Sequence, residues 1–225
     1  MGSVIFDLDG TLVQTVEMTA GVIQGFRRET RENLLCLGIP EEVLSGVDAS
    51  TLMRNRANQY AEANMSESER LRLKCGMNQF LLRHELRWAS RSALFPDTLT
   101  VLKIIKEHGR SMAIVTNTSR QAAEVVFARH RLSRYFAAVI TRDDVTQLKP
   151  DPEGVLLAVK SIGERAACFV GDSPVDVAAA RGAGVKSIII DRGYSPELFP
   201  SGFQADHRVR SLLEILSIVS RDKTG

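Results

Sequence analysis

Cysteine is scarce in this chain, with Cys36, Cys75 and Cys168 the only three in 225 residues. They are odd in number, widely spaced, and without a C-x-x-C pair or a histidine at zinc-ligand spacing. That excludes a disulfide framework and a structural zinc site, and reads them as reduced packing residues. Aromatic residues make up only 6%, too few for the stacking platforms that hold single-stranded nucleic acid. Neither charge sign is in excess: 29 lysines and arginines face 27 acids, a net charge of +2, which leaves no footprint for a phosphate backbone. Long apolar runs are missing too. Those at 137–140 and 187–190 are strand-sized, far short of the ~20 residues that cross a bilayer. No basic leader precedes an apolar stretch, and Phe6 stands where a myristoylation signal at Gly2 wants serine or threonine. The expectation is a cytoplasmic protein with no nucleic-acid or membrane partner; oligomeric state leaves no mark on the sequence.

What is present describes a globular chain. Hydrophobic residues are 44% and charged residues 25%, near the average for soluble domains, and the length corresponds to one and a half domains of about 150 residues. An apolar run at 1–6 ends in Asp7 and is followed by the turn formers Asp9-Gly10-Thr11, so a buried strand delivers Asp7 to a loop. From about residue 14 to 93 helix formers dominate. A helix near 15–36 stops at Gly38-Ile39-Pro40, and Ser66-x-x-Glu69 reads as a capping box opening another. After Pro96 the pattern alternates, with helices at 98–108, 120–130, 152–162 and 174–183, extended segments at 111–115, 137–140, 166–170 and 186–190, and a closing helix near 209–219. Alternation of this kind implies a parallel sheet. The expected architecture is α/β: a doubly wound, mostly parallel sheet built from residues 1–13 and 94–225, interrupted by a helical insertion over 14–93.

In such sheets chemistry collects at the carboxyl ends of the strands. Those ends carry Asp7 and Asp9, then Thr116-Asn117, then Gly171-Asp172-Ser173 with Asp176, while Lys149 lies in the loop after the third core strand. Right-handed crossovers bring these loops to one edge, so several carboxylates, a lysine and a hydroxyl share a crevice. Crowded carboxylates repel unless a cation joins them. Oxygen donors without histidine or cysteine suit a hard cation, and few protein ligands with room for water and phosphate suit magnesium. With Lys149 supplying a second positive charge, an anionic substrate can approach Asp7, and phosphoryl transfer is the reaction the set fits.

Through Asp7-Leu8-Asp9-Gly10-Thr11-Leu12, Thr116-Asn117, Lys149-Pro150-Asp151-Pro152 and Gly171-Asp172-Ser173-Pro174-Val175-Asp176, the sequence resembles the haloacid dehalogenase superfamily. The segment from Gly171 to Gly184 is most similar to its phosphoglycolate-phosphatase-like branch, whose helical cap the insertion at 14–93 matches. The resemblance implies Asp7 as the nucleophile that forms an aspartyl-phosphate and Asp9 as the acid that protonates the leaving oxygen and then deprotonates water. It implies magnesium held by Asp7, the backbone carbonyl of Asp9 and Asp172, with Asp176 in an outer or water-bridged position. Thr116 would bind phosphoryl oxygens, Lys149 would bridge Asp7 and the phosphate, and Asn117 would be a further phosphate contact. Dehalogenases lack an acid at the Asp9 position, so its presence favours phosphate esters. Gln14-Thr15 depart from the Asp-Ser of many relatives where the chain leaves for the cap, which bears on cap hinging.

The implied function is a magnesium-dependent phosphatase acting on a small phosphorylated metabolite such as phosphoglycolate or a sugar phosphate. A phosphomutase keeps the same motifs and is the nearest alternative; a non-catalytic binding protein phosphorylated on aspartate is a further one. Other charged residues have ordinary readings. Asp143-Asp144 decorate a turn, His108 complements a helix C-terminus, and Arg27, Arg28 and Arg31 with Arg83, Arg87 and Arg91 form solvated helix faces. Arg54 and Arg56 are the insertion's candidates for touching substrate.

Overall fold

A computed structural model describes residues 3–15, 19–163, 166–193 and 203–221. The chain divides into two compact units, one of residues 1–15 and 92–225 and the other of residues 16–91. The first holds a six-stranded parallel sheet. Its strands are β1 (Ser3–Phe6), β4 (Met112–Val115), β5 (Ala138–Ile140), β6 (Ala166–Gly171), β7 (Lys186–Ile190) and β8 (His207–Val209), in the spatial order β5-β4-β1-β6-β7-β8. β1 is flanked by β4 with Phe6 opposite Ile114, and by β6 with Phe6 opposite Val170. The first crossovers run outward from β1 in one direction and the later ones in the other, which leaves a crevice at the β1 carboxyl end.

The central strands β1 and β4 are largely apolar and buried along their whole length, the pattern of a parallel sheet covered by helices. Ile5, Ala113, Val115 and Phe169 pack with Val155 and Ala158 of α7 (Glu153–Ile162) and with Ala179 and Ala180 of α8 (Pro174–Gly182). Among the described residues this unit also holds the α-helices α5 (Thr98–Glu107), α6 (Arg120–His130), capped by the Ser119 hydroxyl, and α9 (Leu212–Arg221). As the sequence suggests, the His108 ring faces a carbonyl at the end of α5, 2.8 Å from that of Ile104.

The second unit contains α1 (Ala20–Cys36), α2 (Glu41–Leu44), α3 (Ser50–Asn64) and α4 (Glu67–Ser90). It has its own core of Leu34, Leu44, Met53, Leu73, Met77 and Phe80. The capping box at Ser66 and Glu69 opens α4. Arg31 is no solvated face residue: its guanidinium meets Glu41 at 2.6 Å and donates to the Leu44 and Val47 carbonyls, each at 2.8 Å, tying α1 to the loop after α2. Among the described residues no helix is long and apolar enough to cross a membrane.

Three further expectations need correction. The helix expected near 15–36 begins at Ala20, with Thr19 as its N-cap, and Thr15 belongs instead to β2 (Val13–Thr15), which pairs antiparallel with β3 (Ser92–Leu94). The helical stretch therefore leaves and rejoins the first unit through a two-stranded ribbon. The closing helix expected from 209 starts at Leu212 because Val209 is the last residue of β8. Of the cysteines, only Cys168 is buried as a packing residue; Cys36 and Cys75 are free and exposed on α1 and α4.

Asp97 joins the ribbon's return to the C-terminal helix. One carboxylate oxygen accepts from the Ser211 hydroxyl at 2.8 Å and the Leu212 amide at 2.7 Å, capping α9 from a distant segment, and the other lies 3.3 Å from Arg192. That guanidinium stacks 3.6 Å over the Phe95 ring and donates to the Thr11 carbonyl at 2.9 Å. Burial alone would raise the Asp97 pKa, but the Ser211 and Leu212 hydrogen bonds and the Arg192 charge outweigh it and hold the carboxyl below its usual value. A depressed acid stabilises the fold above its unfolded pKa and loses that contribution as pH falls through the folded one. Asp97→Asn should therefore cost about 1–2 kcal/mol at pH 7, and its stability deficit relative to wild type should shrink below about pH 4. Chemical denaturation at several pH values checks this; a deficit independent of pH would refute it.

Candidate functional site

The site begins with where β1 stops. Asp7 follows Phe6 directly, and its amide donates to the Val170 carbonyl of β6 at 2.8 Å, which keeps the backbone in strand-like register up to the carboxylate. Beyond it the chain turns back, with the Gly10 amide donating to the Val13 carbonyl at 2.7 Å. Gly10 has φ +82, and a Cβ there would lie 2.0 Å from Asp172 Oδ2. The glycine is thus required twice, for a left-handed turn and for the approach of the Asp172 carboxylate.

Lys149 joins the strand ends. Its Nζ lies 2.6 Å from Asp7 Oδ1 and 2.7 Å from Asp176 Oδ1, and donates to the Val115 carbonyl at 3.1 Å. The Lys149 and Asp176 side chains are 4% and 2% exposed, so this is an ion-paired ammonium with little water, stacked 5.4 Å over the Phe169 ring. Asp176 is held from its other oxygen: Oδ2 accepts from the Ser173 amide at 3.0 Å and the Ser173 hydroxyl at 2.5 Å, closing the capping box that starts α8.

Asp7, Asp172 and Asp176 each offer an oxygen, and these oxygens lie within 4.8 Å of one another. Burial raises the Asp7 pKa to about 7, with repulsion from Asp176 and Asp9 adding to it and Lys149 only partly offsetting it. Burial, with Asp176 and Asp7 close by, likewise pushes Asp172 well above its ordinary value. The Lys149 pKa is raised too, which for an amine favours the charged form. Burial disfavours its charge, but the two carboxylates outweigh that and keep it protonated. Three acids share one ammonium in a largely buried site, and the raised Asp7 and Asp172 pKa values express that shortage of positive charge. All the donors are oxygen, which fits a hard divalent cation held by Asp7, Asp172 and Asp176.

The remaining expected residues are arranged around this cluster. Thr116, 4% exposed, follows β4, and its hydroxyl accepts from the Thr118 amide at 3.1 Å. Asn117 has both ends of its amide engaged with the Lys149 backbone, donating to the carbonyl at 3.2 Å and accepting from the amide at 3.0 Å. It holds the lysine loop against the β4 loop. Asp9 is exposed, and its side chain bonds Thr118 rather than joining the carboxylate cluster. Sequence reasoning overlooked Thr118 and the Val115 carbonyl, and it named Ser173 within its motif without giving it a role. Only Ser173 had a readable signal, the Ser-x-x-Asp capping pattern before α8.

Titratable residues outside the cluster have structural partners. Asp143 Oδ2 accepts from the Arg120 amide at 2.9 Å, and Asp144 closes a cap with Thr141 and meets Arg120 at 2.6 Å. His84 sits among Phe26, Phe80 and Trp88, 3.3 Å from Glu29. Of the insertion's two substrate candidates, both on α3, Arg56 donates to the Ser45 carbonyl at 2.9 Å and so anchors the loop before that helix.

A family profile described as haloacid dehalogenase-like hydrolase matches residues 1–184. The chain belongs to that family. A phosphoglycolate phosphatase of Pseudomonas fluorescens is 32% identical over 85% of this chain and 70% of its own length. An N-acetylmuramic acid 6-phosphate phosphatase of Pseudomonas putida is 29% identical over 99% of this chain and 98% of its own. Among solved structures, a haloacid dehalogenase phosphatase from Thermococcus onnurineus superposes with a TM-score of 0.60 at 25% identity, covering 97% and 98% of the two chains. A subfamily IA hydrolase from Geobacter sulfurreducens, at 22% identity and a TM-score of 0.58 over 97% and 96%, shares the fold. This haloacid dehalogenase-like hydrolase thus carries its family's α/β core with a helical unit inserted after the first strand.

Gly10→Ala tests the carboxylate arrangement. The substitution should cost about 1–2 kcal/mol for the left-handed backbone, and should also weaken binding of a divalent cation about tenfold by displacing Asp172. Gly109 has φ +67 with nothing within 4 Å of its would-be Cβ, so Gly109→Ala should show the stability loss without the binding loss. Calorimetry with magnesium on both variants separates the two effects; equal affinities would refute the account.

Proposed function

We propose that this hydrolase is a magnesium-dependent phosphatase that removes the phosphoryl group from a small phosphorylated metabolite through an aspartyl-phosphate on Asp7. The observation that carries the reading is the Lys149 ammonium, 2.6 Å from Asp7 and 2.7 Å from Asp176, in a cluster that Asp172 completes. A carboxylate is a poor nucleophile towards a phosphate that is itself anionic, and positive charge at the point of attack removes that obstacle. Magnesium, when bound by Asp7, Asp172 and Asp176 with the Asp9 carbonyl, would neutralise charge between the carboxylates and the phosphoryl oxygens.

The chain's own groups then divide the work. An Asp7 oxygen attacks phosphorus as the bond to the leaving oxygen breaks, and Asp9 gives that oxygen its proton. Asp9, now a carboxylate, takes a proton from the water that attacks the phosphoryl group, and Asp7 is released with inorganic phosphate. Thr116 and Lys149 hold phosphoryl oxygens during both transfers, and Asn117 acts through the Lys149 loop that it fixes. The helical insertion, which interrupts the chain soon after Asp9, is assigned to discrimination between leaving groups. Relatives named for phosphoglycolate and for N-acetylmuramic acid 6-phosphate support small phosphate monoesters on two- to several-carbon acids and sugars as the substrate class.

A panel of such esters assayed for free phosphate tests the reading, and release should require magnesium and stop in excess chelator. Asp7→Asn should abolish turnover, whereas Asp9→Asn should retain metal binding and lose about 10²–10⁴-fold in rate. Full activity in chelator, or near-normal rates in Asp7→Asn, would overturn the mechanism. Isomerisation that needs a bisphosphate activator, in place of phosphate release, would replace it with a mutase.

A further inference from the structure

We infer that Thr118 is a positioning residue for Asp9: its hydroxyl holds one carboxylate oxygen of the proposed proton-transfer residue in a fixed place. The inference rests on the role given to Asp9 above. The Thr118 hydroxyl lies 2.7 Å from Asp9 Oδ2, across 109 positions of sequence, and this is the one side-chain hydrogen bond that Asp9 makes among the described residues. The Lys149 ammonium already has Asp7, Asp176 and the Val115 carbonyl as partners.

The contact follows from sheet geometry. β1 and β4 are parallel neighbours with Phe6 opposite Ile114, so the loops three residues beyond one and four beyond the other meet at the same edge. Thr118 itself is rigidly placed: its amide donates to the Thr116 hydroxyl at 3.1 Å, and its carbonyl accepts from the Arg142 amide at 3.1 Å. A threonine just before a helix ordinarily turns its hydroxyl to the helix N-terminus, but here Ser119 does that work, accepting from the Ala122 amide at 3.3 Å. The Thr118 hydroxyl is therefore available for a partner on another loop.

Hydroxyl chemistry suits this partner. Asp9 must alternate between carboxylic acid and carboxylate, and a group that only donates would resist the acid form. A hydroxyl donates to the carboxylate and accepts from the acid, so the bond survives both proton transfers. An exposed aspartate without it would sample other rotamers, and misplacement by about 1 Å costs on the order of 10²-fold in rate.

The test compares leaving groups, because proton donation matters only when the leaving oxygen is basic. Values of kcat/KM report the first transfer, in which the ester bond breaks, and are measured for an alkyl phosphate and for p-nitrophenyl phosphate. In Thr118→Val, which keeps the shape and removes the hydroxyl, the alkyl value should fall about 10–100-fold, while the aryl value should change less than about threefold. Thr118→Ser should restore the alkyl value. Thr118→Ala serves as a second hydroxyl-free variant should valine fold poorly, with melting temperature and magnesium affinity monitored throughout. Asp9→Asn is measured alongside. If it shows the leaving-group-dependent loss while Thr118→Val and Thr118→Ala lose both substrates equally or neither, Thr118 is not a positioning residue and the inference fails alone. If Asp9→Asn itself shows no such dependence, the acid role of Asp9 fails and takes the inference with it.

Discussion

The Lys149 ammonium is fixed between two carboxylates that would otherwise repel, and the geometry of the strand ends follows from that contact. Desolvating an ion costs several kcal/mol, so a lysine that is 4% exposed is tolerated only where partners meet it from several sides. Asp7 comes from β1, Asp176 from α8, the Val115 carbonyl from β4, and the Phe169 ring from β6. Asn117 fixes the lysine's own backbone. One charge thereby requires all these segments to be present and in register. The same arrangement leaves the negative charge incompletely balanced, which prepares the cluster for a cation and a phosphate.

Two glycines allow the groups to come this close. A Cβ on Gly10 would meet the Asp172 carboxylate, and one on Gly171 would lie 2.3 Å from the Asp176 Cβ. Large side chains build the sheet interior, whereas the absence of side chains at these two positions admits the acids. The Asp97–Arg192–Phe95 assembly does comparable work at the base of the ribbon, fixing where the polypeptide departs and returns while Ser211 and Leu212 draw on the same carboxylate.

Much of this could be read from the sequence because a parallel strand announces its end. Apolar runs that stop abruptly at Asp7, at Thr116 and at Gly171-Asp172 mark the same edge of the sheet, and alternation with helical segments gives the fold class. The ribbon could not be read in this way. Val13–Thr15 and Ser92–Leu94 are each three residues long, too short for a periodic signal, and only their mutual pairing makes them strands. The Val209 boundary was readable in principle: Ser211-x-x-Glu214 is a capping pattern, and Glu214 accepts from the Arg210 and Ser211 amides at 2.9 and 3.0 Å. An apolar valine in phase with the following helix masked it. Thr118 gave no such signal, and Asn117, though named from its motif, gave none of its bonds to the Lys149 backbone, because these partners lie more than thirty positions away and depend on which strands become neighbours.

The place of β1 at the centre of the sheet has a consequence for biosynthesis. Its partners begin at Met112 and Ala166, so β1 is synthesised well before both, and one edge waits for about half of these 225 residues and the other for about three-quarters. Val4, Ile5 and Phe6, all fully buried in the finished protein, remain uncovered through that interval, and unpaired apolar strands associate readily. The helices that follow carry their own apolar core, built from contacts confined to the insertion, and contacts of shorter sequence separation form faster. Chain order therefore lets the insertion consolidate first and makes the carboxylate cluster among the last features to assemble. Nascent fragments that stop before β6 carry the Asp7 loop with no Asp172 or Asp176 opposite it.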